Sequence, residues 1–146
     1  MAYTDFLKTQ CYIDGQWVNA DSGATFEVTD PGSGQVIGTV PKAGAVETAR
    51  AIDAAEAALP AWRAKTAGER AKLMRKLFDL MIEHQDDLGE LLSREQGKPF
   101  AEGKGEIVYG AGFIEWFAEE GKRAYGDVIP SRAADRRIVV IKQGIG

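Results

Sequence analysis

The sequence carries one cysteine, Cys11, and one histidine, His84, in 146 residues. A lone thiol excludes an intramolecular disulfide and fits a reducing cytoplasm. One Cys with one His leaves little for a soft-metal site or a Cys–His nucleophilic pair. No apolar run approaches the roughly 18 residues of a transmembrane helix, so no membrane span is read. The first nine residues include Asp5 and Lys8 and lack the apolar core of a secretory signal. Excess positive charge is also missing. The 18 Lys+Arg against 22 Asp+Glu give a net charge of −4, which argues against a nucleic-acid binder working through bulk charge. Internal repeats and low-complexity tracts are absent. What is present is a globular composition, 45% hydrophobic and 27% charged, with 17 glycines. That glycine content is about 12%, above the usual ~7%, so the chain must turn tightly or pack closely in many places.

Residues 1–44 read as short strands joined by turns. Tyr12-Ile13 and Gln16-Trp17-Val18 flank Asp14-Gly15, a hairpin signal because a two-residue turn needs positive φ angles. Thr25 to Thr29 and Gln35 to Val40 are β-rich and are separated by Pro31-Gly32-Ser33-Gly34. Residues 45–130 change character and read as three main helices. Ala45, Ala49, Ile52, Ala55 and Leu59 recur at helical spacing, and Pro60 closes or kinks that helix. Thr66-Ala67-Gly68-Glu69 fits a capping box. Behind it Leu73, Met74, Leu77, Met81, Leu88, Leu91 and Leu92 form one stripe of an amphipathic helix. Gly97-Lys98-Pro99 starts the third helix, expected to run to about Tyr125, with Gly103, Ile107, Gly110, Ile114, Phe117 and Gly121 on one face. Interior glycines each cost roughly 1 kcal/mol relative to Ala, so they imply close backbone approach. Residues 131–146 contain Ile138-Val139-Val140-Ile141, a β-branched run expected to be buried on both faces or held at an interface. No turn or return strand is read to cover it, and an uncovered edge is a pairing liability.

Candidate chemistry is sparse. Gly32-Ser33-Gly34 and Gly103-Lys104-Gly105 fail the dinucleotide fingerprint, and Gly97-Lys98-Pro99 lacks the Ser or Thr of a phosphate loop. Cys11 lies in a strand-like run with no nearby His, Lys or Arg except Lys8, and reads as a small side chain packed in or near a strand rather than a nucleophile. His84 sits at the edge of the leucine stripe with no dyad partner, as a half-buried helix histidine. Glu115 and Glu119 share a helical face but precede Lys122 and Arg123. Glu119–Lys122 and Glu119–Arg123 are ordinary surface pairs worth a few tenths of a kcal/mol. Trp116 and Phe117 read as packing anchors, since the surrounding patch is too acidic for a base-stacking platform.

The segment Phe113-Ile114-Glu115-Trp116-Phe117-Ala118-Glu119-Glu120-Gly121-Lys122-Arg123, with Tyr125-Gly126-Asp127 and Ile129-Pro130, resembles the aldehyde dehydrogenase superfamily. So do Glu95-Gln96-Gly97-Lys98-Pro99, Tyr12-Ile13-Asp14-Gly15-Gln16-Trp17 and His84-Gln85-Asp86-Asp87-Leu88. The resemblance spans essentially the whole chain and points to the succinate-semialdehyde/glutarate-semialdehyde branch. It implies an α/β fold, of which this chain is the N-terminal part: strands and hairpins, three helices packed on a Rossmann-like cofactor domain, then a strand resembling the oligomerisation arm at Arg137 to Lys142. The full enzyme would bind NAD or NADP and oxidise an aldehyde, succinate semialdehyde, to the carboxylate, its thiolate attacking the carbonyl.

The resemblance places the Cys nucleophile and the Glu base beyond residue 146. No residue here is therefore assigned a catalytic, cofactor-binding or metal role, no cofactor is expected for this chain alone, and Cys11, Glu95, Glu115 and Glu120 are not promoted. Some members bind a structural cation near the residues matching Val28, Thr29 and Glu106, although one carboxylate is a poor donor set for a hard cation. Where the family has Gln-Pro-Ile-Gly, this chain reads Gln143-Gly144-Ile145-Gly146. The implied partner is the remainder of the chain or a sister subunit through Ile138–Ile141, in a homo-oligomer, with neither nucleic acid nor membrane. The rival expectation is a non-enzymatic assembly module that pairs through the same strand.

Overall fold

A computed structural model of the protein describes residues 2–145. Two antiparallel hairpins form its first part. β1 (Cys11–Ile13) pairs with β2 (Gln16–Val18), Tyr12 opposite Trp17. Asp14 at φ 50° and Gly15 at φ 75° supply the two left-handed residues the turn requires. β3 (Thr25–Thr29) pairs with β4 (Val36–Pro41), with a register irregularity between Val28 and Thr29. Between them the Asp30 carboxylate accepts from the Gly32 N–H at 2.7 Å, and the Gly34 N–H returns to the Asp30 carbonyl at 2.7 Å.

Four helices follow, where the sequence pattern gives three. α1 (Ala45–Ala64) runs through Pro60 instead of closing there. Pro60 is exposed, so the carbonyl it leaves unpaired one turn back stays within reach of water. α2 (Ala67–Glu83) starts at the expected capping box: Thr66 Oγ1 accepts from the Glu69 N–H at 3.3 Å, and Glu69 Oε2 accepts from the Thr66 N–H at 2.7 Å. α3 (Gln85–Gln96) is separated from α2 by His84 alone, at φ −106° and ψ 21°. The His84 N–H still reaches Leu80 and its carbonyl still accepts from Leu88. The leucine stripe keeps helical spacing across the break, which is why periodicity does not reveal it. Gly97 ends α3 in the left-handed conformation. α4 (Phe100–Glu120) stops short of Tyr125 and tightens into a 3-10 turn over Gly121–Arg123.

The core is the seam where α4 crosses α2 and α3, and it is built of small residues. Gly103, Ala111 and Ala118 are the buried residues of α4, Ala71 that of α2 and Gly89 that of α3. A Cβ on Gly103 would sit 2.6 Å from the Gly89 carbonyl oxygen and 2.7 Å from Ser93 Oγ. The close approach implied by the glycines is thus real at Gly103. It is absent at Gly110 and Gly121, where a Cβ meets nothing within 4 Å. Phe117, placed on the packed face by the sequence pattern, is exposed, and its neighbour Ala118 is the buried residue instead. Leu73 and Leu77 are likewise exposed, while Met74, Met81 and Leu88 are half-buried.

The last pair, β5 (Asp127–Ile129) and β6 (Ile138–Val140), corrects a second expectation. β6 does have a return strand: Val128 lies opposite Val139 in an antiparallel ribbon. Gly126 permits it, since a Cβ there would run into the Val140 carbonyl. Ile138, Val139, Val140 and Ile141 are nevertheless all exposed. The burial that a β-branched run implies is not supplied by the described residues. Among those residues no helix is long and apolar enough to cross a membrane.

Candidate functional site

The residues that could carry chemistry are dispersed. Cys11 is half-buried on β1, opposite Val18. His84 is half-buried at the α2–α3 junction, its ring centroid 5.0 Å from that of Phe6. The only thiol and the only imidazole therefore sit on separate elements with separate neighbours. Glu95 is exposed near the end of α3. Glu115 pairs with Arg75 of α2 at 2.6 Å, Glu119 with Lys122 at 2.7 Å, and Glu120 with Arg123 at 2.6 Å. Arg123 thus chooses Glu120, three residues back, over Glu119. The hydrogen bond from Lys122 holds the Glu119 carboxyl below the usual glutamate range. A carboxylate held ionised in this way is a poor general base.

The glycine stretches do not fit a dinucleotide. The N–H groups of Gly32 and Ser33 are already taken by Asp30 Oδ1, at 2.7 and 3.2 Å. The Gly97 N–H caps α3 by donating to the Ser93 carbonyl at 2.8 Å, and Gly103 and Gly105 lie inside α4. A phosphate cradle needs such amides free and convergent. Glu106 is engaged by Lys98, while Val28 and Thr29 flank the irregular step of β3. Among the described residues no group of three or more His, Cys, Asp or Glu side chains could hold a metal ion.

Two clefts remain. One, of about 530 Å³, lies between the Asp30 turn and the α3–α4 junction and includes Asp30, Glu90, Ser93, Arg94 and Lys98. Its charges are answered locally. Arg94 is held by Glu90 at 2.9 Å and lies 4.5 Å over the Tyr3 ring. The Glu90 hydrogen bond raises the Arg94 pKa further, and the Gly32 N–H keeps Asp30 below its ordinary value. The second cleft, of about 450 Å³, is apolar and runs along the outer side of α4 past Val108, Tyr109, Phe113, Trp116 and Phe117. Tyr109 and Phe113 meet edge to face, with centroids 4.9 Å apart. Tyr109 is 70% exposed and Trp116 64%. The anchors read from the sequence, Trp116 and Phe117, are therefore left mostly exposed by the described residues. Reading one face of α4 missed this second one. The signal was available, because a helix apolar on both sides needs neighbours on both sides.

Comparison with known proteins completes the picture. The model of the aldehyde dehydrogenase family matches residues 17–146. A glutarate-semialdehyde dehydrogenase of Pseudomonas putida is 62% identical over 140 residues, 96% of this chain and 29% of the relative. The succinate-semialdehyde dehydrogenase [NADP(+)] of Escherichia coli is 59% identical, over 98% of this chain and 30% of its own length. The crystal structure of a succinate-semialdehyde dehydrogenase from Burkholderia pseudomallei superposes with a TM-score of 0.94 at 60% identity, covering 97% of this chain and 30% of that one. The chain thus spans under a third of the length of the relatives it matches, and its fold is that of the N-terminal part of an aldehyde dehydrogenase.

Proposed function

The chain belongs to the aldehyde dehydrogenase family, and from that premise we propose that it is the N-terminal portion of a cytoplasmic NAD(P)-dependent succinate-semialdehyde dehydrogenase. The whole enzyme oxidises the aldehyde to the carboxylate, and this chain supplies scaffold to it. The observation that carries the reading is similarity along nearly the whole chain to semialdehyde dehydrogenases more than three times its length. The NADP(+) in the name of the Escherichia coli relative supports a nicotinamide cofactor. In this reading the aromatic side of α4 packs on the cofactor domain. β6 is continued by the rest of the chain or by a sister subunit, and the assembled enzyme is a homo-oligomer. The dispersed positions of Cys11 and His84 support inactivity of the 146-residue chain by itself.

Two measurements test this. The intact mass of the protein from its natural source should lie well above 15.8 kDa. The purified 146-residue chain should show no reduction of NAD⁺ or NADP⁺ with succinate semialdehyde, whereas the longer protein should show it. Turnover by the short chain would overturn the scaffold assignment.

A second reading rests on β6. Val139 and Ile141 are exposed, and β6 pairs on only one side with β5. A natural mass of 15.8 kDa would favour an assembly module that pairs through this strand. Sedimentation should then give one defined oligomer, since two identical edges paired about a two-fold axis close on themselves.

A further inference from the structure

We draw no further inference here: the strongest candidate, the aromatic cleft along the outer side of α4 at Tyr109, Phe113 and Trp116, is the surface already assigned above to packing on the cofactor domain, and nothing else in the structure shows what covers it.

Discussion

Glu47 is the one charged side chain buried among the described residues, at 6% exposure. Its carboxylate accepts from the Asp21 N–H at 2.7 Å and from the Gly44 N–H at 2.8 Å, joining the strand-rich segment to the start of α1. Arg50 reinforces the joint by gripping Asp21 at 2.9 and 3.1 Å. These bonds, the Asp21 amide first, hold the Glu47 pKa below the ordinary glutamate range. A depressed carboxylate contributes stability that is present above that range and lost as pH falls through it. Glu47→Gln should therefore lower the midpoint of urea unfolding at neutral pH and flatten its decline on the acid side. Gly103 offers a second test. Gly103→Ala forces a Cβ against Gly89 and Ser93 and should cost about 1–3 kcal/mol. Gly105→Ala, with nothing within 4 Å, should instead stabilise by up to about 1 kcal/mol through helix propensity. Thr66–Glu69 was legible in the sequence because a cap closes over three residues. The Glu47 bond to Gly44 also closes over three residues, but its bond to Asp21, 26 residues away, was not legible because only the fold brings the two together.

At the scale of elements, local chemistry decided most outcomes. The Asp14-Gly15 turn and the Thr66 cap form where their residue types demand. Removing the cap with Thr66→Ala should cost about 1 kcal/mol, measured by denaturant unfolding. The α2–α3 break was not legible, because it leaves both the apolar stripe and the flanking main-chain hydrogen bonds intact. Its visible correlate is the packing of His84 on Phe6, a contact between residues 78 positions apart. The pairing of β5 with β6 escaped for a related reason. Gly126-Asp127 and Ile129-Pro130 look like turns in isolation, and only the strand arriving later makes Asp127–Ile129 its partner. Which side of α4 is packed was half legible. Gly103 marks the crossing, but the aromatic residues drew attention to a side that the described residues leave open.

On the scale of the whole molecule, the functional reading came from family motifs and not from assembled chemistry. The one thiol and one imidazole stand apart, and Glu115, Glu119 and Glu120 of α4 are spent on neighbouring cations. The seam that holds the helices together is made of Gly103, Ala111 and Ala118, with Ala111 at 0% and Ala118 at 1% exposure. Among the described residues no large side chain is fully buried. This has a calorimetric consequence. Unfolding raises heat capacity chiefly by hydrating apolar surface, ordinarily by ~12–15 cal/mol/K per residue, or about 2 kcal/mol/K for a chain of 146 residues. A seam of methyl groups and bare backbone has little apolar surface left to hydrate. Scanning calorimetry of the isolated chain should give a heat-capacity step well under that figure, and a stability curve correspondingly flat with temperature.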